Sequence, residues 1–417
     1  MKHALILALY LGDELLSSMM PFSSGLFTIT LIVISISCLK IKRCLLMEAM
    51  VIGIAMLATG FLGAILSGTP VSSFFILTVA LLLVMWMVGA GVQEGDRIFI
   101  TPKFAFIGVL ISSGFLVLAV LGWDAMSAWR GELSNRATGI YYEPSHYALY
   151  VMPLWLIAYQ HQQYRFWLYL TLVLAMALCF STTLAAFLIF ALLLKALLSV
   201  ARSNYTINKI GRQLILGTLL TIFTYYMSGI FYVDGVTVRA YIDSRIAGLV
   251  NPDNGGSQNL SSLVILQGID LAKISFAKSY GLGVGLGNFG TSDQVLSISE
   301  HRNLVNVIMN GQDLSVRDGG LLASKLVGEL GIFSLLVLLL LGSYFRRLKL
   351  QSNILLLNYD YAFAVTLLCL LFIRALPYFS SPACLAIFSL AGLVTSCPRL
   401  PDQSRLDPSH FLGGERS

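Results

Sequence analysis

The sequence predicts an all-α integral membrane protein with about twelve transmembrane helices and a large helical loop between the ninth and tenth spans. Of the 417 residues, 57% are hydrophobic and 12% are charged, whereas a soluble domain carries roughly 25% charged residues. Many apolar runs approach the roughly 20 residues that a helix needs to cross a bilayer. These runs also lack the alternation with a period of two residues that is typical of membrane barrel strands.

The predicted spans follow one another with short polar breaks between most of them. They lie near residues 4–20, 22–39, 45–66, 73–92, 104–123, 145–160, 166–181, 183–200, 213–232, 321–343, 354–373 and 382–397. Asp13 and Glu14 follow the short apolar core of the first run, so we expect a weak first span or a re-entrant segment there. No small-residue cleavage site follows this run, which argues against a cleaved signal peptide.

The distribution of Lys and Arg orients the predicted helices. Three short loops are basic, at residues 40–43, 202–212 and 346–349, and with about twelve spans all three fall on the same side. The positive-inside rule makes that side the cytoplasm, and both chain termini join it. The net charge of +6 therefore indicates anchoring at the inner face of a membrane rather than binding to nucleic acid.

The resulting organisation has four parts. They are residues 1–232 (spans one to nine, with a short outer loop near 124–144), 233–320 (the large outer loop), 321–397 (spans ten to twelve) and 398–417 (a cytoplasmic tail). Within the large loop, residues 259–281 predict an amphipathic helix, which the glycine-rich stretch "GLGVGLGNFG" (281–290) ends. Residues 285–290 match G-x-G-x-x-G, but no βαβ unit surrounds them, which excludes a dinucleotide site.

No metal ion or other cofactor is expected. The six cysteines lie in or beside apolar runs, without the spacing of zinc ligands or of a disulfide framework. The outer loops also contain no Asp-x-Asp motif of the kind that holds a metal ion.

The stretch "RATGIYYEPSHYALY" (136–150) contains the first candidate site residues. Proline is favoured in the first helical turn, so "EPS" at 143–145 predicts that a span begins here. A helix start alone would explain the proline and the serine. Glu143, together with Arg136 and His146, instead suits a site for a charged substrate at the membrane boundary.

Arginines in the outer loops form a second group of candidates, because a guanidinium binds phosphate oxygens with two parallel hydrogen bonds. They are Arg130, Arg136, Arg239, Arg245, Arg302 and Arg317. For any one of them, the alternative is a solvated loop charge paired with a nearby acid. Asp318 is either a helix cap or an acid at the mouth of the tenth span. His301 is expected to be a loop histidine, and Arg374 and Lys195 are expected to extend to the membrane interfaces.

With these residues, the chain resembles the O-antigen polymerase (Wzy) family, within a group of membrane glycosyltransferases that also includes the O-antigen ligases. The resemblance covers roughly residues 100–345 and rests on the order of four short motifs. They are Arg136…Gly139…Glu143-Pro144-Ser145 at the entry to a span, "CFSTTLAAFLIF" (179–190), "SRIAGL" (244–249) followed by "GLGVGLGNF" (281–289), and "LLASKLVGELGIFSLLVLLLL" (321–341).

Two departures from the pattern of this group bear on function. Members of the ligase type have a pattern similar to a His-Asn pair at the start of the tenth span. This chain has Gly320-Leu321 there. That difference favours a polymerase over a ligase. The amphipathic segment also has Gln267 where an arginine is often found.

The resemblance implies a glycosyltransferase-C-like helical fold in the bacterial inner membrane, with an active site that faces the periplasm. It implies polymerisation of undecaprenyl-pyrophosphate-linked oligosaccharide repeats of O-antigen or a related surface polysaccharide. The expected partners are these lipid-linked glycans, membrane lipids, a chain-length regulator and a flippase.

On this hypothesis, a hydroxyl on one lipid-linked repeat attacks the anomeric carbon of another chain and expels undecaprenyl pyrophosphate. Glu143, or alternatively Asp318, is expected to accept the proton of that hydroxyl. The residues expected to bind pyrophosphate or glycan are Arg136, Arg239, Arg245, Arg317, His146 and Tyr142.

Two other functions stay open. An O-antigen ligase would keep the fold and transfer the glycan to a lipid A core. A twelve-helix flippase or transporter for lipid-linked sugars would show two similar halves and polar residues at mid-membrane. The polar residues of this chain are concentrated in the outer loops instead.

Overall fold

A computed structural model of the chain defines most of its helices. The residues that it describes are 2–19, 26–36, 43–71, 75–92, 98–123, 138–141, 143–179, 181–201, 229, 232–233, 236–237, 239–240, 243, 260–308, 316–317, 319–351 and 354–395. Within them the architecture is almost entirely helical, which confirms the predicted all-α class in its coarse form.

The described residues before 202 form eight α-helices. They are α1 (Lys2–Met19), α2 (Leu26–Ile36), α3 (Arg43–Ser67), α4 (Phe75–Gly91), α5 (Pro102–Val120), α6 (Pro144–Ala158), α7 (Arg165–Cys179) and α8 (Thr182–Ala201). A 3₁₀ turn at Gln162–Tyr164 joins α6 to α7. Within the motif at 179–190, α7 ends at Cys179 and α8 begins at Thr182.

A short antiparallel hairpin separates these helices from those of the second half. Its strands are β1 (Tyr232–Val233) and β2 (Val236–Thr237), with Tyr232 opposite Thr237. The helices that follow are α9 (Leu260–Lys278), α10 (Asp293–Leu296), α11 (Glu300–Ile308), α12 (Leu322–Leu330), α13 (Ser334–Leu350), α14 (Ile354–Phe372) and α15 (Ser381–Thr395).

Helices occupy the predicted apolar runs where the structure describes them. The predicted ninth span (213–232) lies almost wholly outside the described residues, as does the whole predicted tail (398–417). Within the described part of the chain, four helical stretches are long and apolar enough to cross a membrane: Met50–Ser67, Pro102–Val120, Leu322–Leu350 and Leu355–Phe372. They support a helical membrane protein, and the number of spans stays a prediction.

Two helices form the centre of the bundle. Every residue of α6 from Tyr147 to Ala158 is buried, and so is nearly every residue of α15. α6 packs on α5, α8 and α14, and α15 packs on α4, α13 and α14. At the periphery, α3 exposes large apolar side chains such as Val51 (66% exposed) and Ile65 (72% exposed). A continuous apolar face of this kind suits contact with lipid better than contact with water.

The predicted tenth span (321–343) is not one continuous helix. The 3₁₀ turn Gly331–Phe333 separates α12 from α13. Gly331 has a φ of 56°, and a Cβ at this position would lie 2.0 Å from the carbonyl oxygen of Gly281. The amide of Ile332 donates a hydrogen bond to that same oxygen at 2.8 Å. The helix is therefore interrupted where the glycine-rich turn after α9 packs against it.

A helix is present where the sequence predicts one within residues 259–281, namely α9. Its buried face includes Leu263, Val264 and Leu271, and the helix packs on α12, α11 and α3. The glycine-rich turn that follows α9 also lies close to α3. A Cβ at Gly63 of α3 would lie 1.7 Å from the carbonyl oxygen of Gly283 in that turn. The segment from α9 to the glycine-rich turn is thus packed directly onto the helical bundle.

Candidate functional site

Charged side chains gather where the ends of several helices meet. Residues 373–381 link α14 to α15 and include the first residue of α15; we call them the connecting segment. Hydrogen bonds join this segment to Glu143, Gly320, Glu329 and Asp13. Stretches that lie far apart in sequence therefore form one polar cluster at one end of the bundle.

Glu143 stands at the start of the buried helix α6. It is the N-cap residue, with an extended backbone (φ −138°, ψ 155°), and Pro144 follows in the first turn as predicted. Its side chain does not cap the helix. Both carboxylate oxygens accept hydrogen bonds from one terminal nitrogen of Arg374, each at 2.9 Å, and Oε2 also accepts one from Ser145 Oγ at 2.9 Å. The predicted helix start is confirmed, and its acid faces an arginine.

Arg374 does not simply extend to a membrane interface, which corrects the expectation from the sequence. Its side chain is 12% exposed, against 45% for the side chain of Glu143. The backbone around it is held in place, since the amide of Ala375 donates to the carbonyl oxygen of Gly320 at 2.9 Å. The turn at the end of α14 thus directs the guanidinium at Glu143. A guanidinium fixed in this way is well suited to bind a phosphate group.

His146 lies in the first turns of α6 and contacts Glu14 of α1 through Nδ1. The two side chains are 17% and 8% exposed, respectively. In the neutral tautomer in which Nδ1 donates to the Glu14 carboxylate, Nε2 is the acceptor nitrogen of the ring. Glu143 and Arg374 also lie close enough to affect His146 electrostatically. The cluster therefore combines an imidazole, two carboxylates and a guanidinium.

Asp13 ties three helices together beneath this cluster. It is 5% exposed, and its Oδ2 accepts hydrogen bonds from Tyr150 Oη and from the amide of Ser381, both at 2.8 Å. The second bond satisfies one of the free amides at the N-terminus of α15 from a different helix. Tyr10 Oη adds a bond to the carbonyl oxygen of Tyr150 at 3.0 Å. α1, α6 and α15 are thereby fixed relative to one another.

Glu329 is a second buried acid, on α12, and is 1% exposed. Its carboxylate accepts hydrogen bonds from the amide of Gly287 at 3.0 Å and from Tyr378 Oη at 2.5 Å. Lys325 Nζ lies 4.7 Å from the centre of the Tyr378 ring. The amide of Gly287 in the glycine-rich turn thus binds a carboxylate of the same chain. Glu329 connects that turn to the connecting segment.

Two buried tyrosines outside the predicted spans act as neutral hydrogen-bonding groups. Burial raises the pKa of the Tyr378 phenol, and the neighbouring Glu329 raises that pKa further. Burial likewise raises the pKa of Tyr141, whose Oη lies 3.0 Å from Ser112 Oγ. Both phenols therefore stay protonated and serve to hold the site in place.

The structure brings together two of the site residues predicted from the sequence, Glu143 and His146. Arg239 is half-buried in a short helical turn, and Arg317 is exposed. The remaining predicted site residues, which lie outside the described part of the chain, are Arg136, Tyr142, Arg245 and Asp318. The roles assigned to all of these residues stay predictions.

The sequence prediction missed two members of the cluster, Glu14 and Arg374, and the supporting residue Asp13 beneath it. A signal for the two acids existed, because adjacent carboxylates inside an apolar run are costly in a membrane and mark functional positions. The sequence interpretation used them only to limit the first span. Arg374 had no local signal of this kind, since its partner lies 231 residues away.

Comparisons of the chain with protein-family models, curated proteins and solved structures found no match. What the site can do therefore has to be judged from its own geometry. A guanidinium can bind an anion, and an imidazole held by a carboxylate can accept and release a proton. The cluster has the groups for an acid–base reaction on an anionic substrate.

Proposed function

We propose that the chain is a polymerase of undecaprenyl-pyrophosphate-linked oligosaccharide repeats, for O-antigen or a related surface polysaccharide, at the periplasmic face of the bacterial inner membrane. The observation that carries this proposal is the cluster of Arg374, Glu143, His146 and Glu14 at one end of the bundle. It supplies a cation for a departing pyrophosphate and groups that can take a proton from the attacking hydroxyl.

The position of the cluster supports a site on the outer face of the membrane. Gly320, just before α12, contacts the connecting segment, whereas Arg347 and Lys349 lie in the last turn of α13. The 17 residues of α13 alone correspond to roughly 25 Å at the rise of a helix. With the basic end of α13 in the cytoplasm, the cluster faces the periplasm.

Arg374 is the residue to which we assign the pyrophosphate. Arg374 donates to both carboxylate oxygens of Glu143, so a pyrophosphate bound at this position competes with that carboxylate for the guanidinium. Further candidates for phosphate binding are Arg136, Arg239, Arg245 and Arg317. Glu143 and, alternatively, Asp318 are the candidates for the general base that come from the sequence. Undecaprenyl pyrophosphate is a good leaving group by itself, so the proposed reaction requires no metal ion.

The purified full-length protein provides the direct test of this activity. The substrate is the lipid-linked single repeat, isolated from a host that lacks the protein and accumulates it. We expect longer lipid-linked chains, with one undecaprenyl pyrophosphate released for each new linkage, at a rate that EDTA leaves unchanged. Release of free oligosaccharide without elongation, or no reaction with this donor, would refute a polymerase.

One observation favours a second function, a flippase or transporter for lipid-linked sugars. Asp360 is fully buried within α14, where Ser389 Oγ donates to its Oδ1 at 2.7 Å and Tyr344 Oη donates to its carbonyl oxygen at 2.7 Å. A carboxylate inside a membrane helix often marks the path of an ion or substrate. If wild-type protein moves lipid-linked repeats across vesicles without elongating them, and Asp360→Asn abolishes that movement, the flippase is correct.

A further inference from the structure

We propose that His146 is the general base of the transfer reaction and that Glu14 is the residue that positions it. This inference rests on the proposed function and deepens it by naming the group that takes the proton. The sequence directs attention to Glu143, but the contacts in the structure favour the neighbouring histidine.

The contact between Glu14 and His146 fixes the imidazole in one orientation. Glu14 reaches across from α1 to Nδ1, and its own side chain is only 8% exposed. A carboxylate in that position orients the ring and stabilises the imidazolium that forms when the ring takes a proton. Nε2 lies on the opposite edge of the ring from this contact. The His146 side chain is 17% exposed, and we assign Nε2 as the ring nitrogen that meets the acceptor hydroxyl.

Glu143 is less suited to accept a proton. Arg374 donates to both of its carboxylate oxygens, and Ser145 donates to Oε2. These hydrogen bonds and the adjacent positive charge favour the ionised carboxylate, so protonation of Glu143 would weaken them. Glu143 is better placed to keep Arg374 ready for phosphate oxygens.

The charges around His146 suit a group that becomes a cation during the reaction. Glu14 faces it from α1, Glu143 from the start of α6, and Arg374 from the connecting segment. Asp13 lies next to Glu14 on the same buried stretch of α1. The carboxylates outnumber the single guanidinium, so an imidazolium finds compensating negative charge in this position.

In the proposed step, the oxygen of the acceptor hydroxyl bonds to the anomeric carbon of the donor chain. The bond from that carbon to the pyrophosphate oxygen breaks, and its electron pair leaves with undecaprenyl pyrophosphate beside Arg374. The hydroxyl proton moves to Nε2 of His146, and Glu14 stabilises the imidazolium. Loss of this proton to solvent restores the neutral ring for the next cycle.

The chain offers a matched control for a test of this role. His301 on α11 contacts Asp270 on α9 through the same ring nitrogen, and these side chains are 21% and 24% exposed. The His301→Ala variant therefore removes a similar histidine–carboxylate pair that we have not placed in the reaction. Its polymerisation rate is expected to equal that of the wild type.

The experiment measures the initial rate of elongation by full-length variants on the lipid-linked repeat. We expect His146→Ala to lose on the order of 10²–10⁴-fold in kcat, and added imidazole to restore part of that loss. Glu14→Gln is expected to lower kcat with little change in KM and to gain nothing from imidazole, since its histidine is still present. Glu14→Asp, which keeps the carboxylate, should recover part of the rate.

A folded His146→Ala variant that works at the wild-type rate, or that imidazole fails to restore, overturns the inference. In that case elongation by the wild type would still support a polymerase. Failure of the wild-type protein to elongate would remove the proposed function itself, so the two failures are distinguishable. If His146→Ala does not fold, His146→Gln takes its place and must show the same loss of kcat; because its side chain fills the space of the ring, no rescue by imidazole is expected of it, and a wild-type rate overturns the inference.

Discussion

The ion pair between Arg374 and Glu143 holds the guanidinium in place at the candidate site. The carboxylate is 45% exposed and the guanidinium 12%, so the arginine is the more firmly enclosed of the two. A cation that is already held in position needs no reorganisation when negative charge develops next to it, which is the usual source of electrostatic catalysis. Arg374 is held in such a position by its hydrogen bonds to Glu143.

The substitution Arg374→Gln tests the assigned role. It keeps a polar side chain and removes the positive charge, so we expect polymerisation to slow on the order of 10²-fold, the usual loss when one stabilising donor is removed. The measurement is the elongation rate of purified protein on lipid-linked repeats. Arg346→Gln, at an exposed position near the end of α13, is the matched control and should keep the wild-type rate. Equal rates for both variants would show that Arg374 does not act on the pyrophosphate.

α15 depends on an acid from another helix for its first turn. Asp13 accepts the amide of Ser381 and the hydroxyl of Tyr150, each at 2.8 Å, and α15 packs on α4, α13 and α14. The contact between α1 and α15 therefore helps to set the position of the connecting segment, which carries Arg374. The hydrogen bonds at the N-terminus of α15 therefore contribute both to the stability of the fold and to the position of Arg374.

Removal of the Asp13 carboxylate should destabilise the fold. Asp13→Ala loses two buried hydrogen bonds to a charged group, which corresponds to roughly 3 kcal/mol, whereas Tyr150→Phe loses one of them and should cost roughly 1.5 kcal/mol. Thermal unfolding of the detergent-solubilised variants gives the comparison. If the two variants unfold at the wild-type temperature, Asp13 does not hold α15.

The close approach of α3 to the glycine-rich turn provides a second test. Gly63→Ala would place a Cβ 1.7 Å from the carbonyl oxygen of Gly283, so the helix and the turn must separate. We expect a loss of roughly 1–3 kcal/mol and faster proteolysis at the turn. Gly114→Ala in α5 is the control, since nothing lies within 4 Å of the added Cβ. A Gly63→Ala variant as stable and protease-resistant as the Gly114→Ala variant would contradict this packing.

The helices could be predicted from the sequence, because the length of an apolar run is a local property. The breaks between them were also visible, as in the turn between α7 and α8. The interruption at Gly331 could not be foreseen, since it depends on the backbone of Gly281. The start of α6 at Pro144 was predicted from its residue types, yet the partner of Glu143 was not. Ion pairs between distant helices require the tertiary structure.

The distribution of basic residues predicts which side of the membrane the candidate site faces. The cluster lies at one end of the bundle, and the basic residues of α13 lie at the other. With the basic residues of α13 in the cytoplasm, as the positive-inside rule predicts, Arg374 and His146 lie toward the outer face of the membrane, where the proposed function requires them. The reverse orientation would place the same groups in the cytoplasm.

Labelling of single introduced cysteines checks this orientation. Arg317 and Lys349 are both exposed and lie toward opposite ends of the α12–α13 region. In spheroplasts, Arg317→Cys should react with a membrane-impermeant maleimide, and Lys349→Cys should react only after permeabilisation. The parent protein, labelled in parallel, corrects for the native cysteines. The opposite labelling pattern would place the cluster on the cytoplasmic side.

The surface polysaccharide of a host that lacks this protein, with and without a plasmid copy, tests the proposed function most directly. A gel separates core alone, core with one repeat, and the ladder of longer chains. We predict that loss of the protein collapses the ladder to core plus a single repeat, and that the plasmid copy restores the ladder. Disappearance of the single-repeat band as well would mean that export or ligation is the lost step, and would contradict a polymerase.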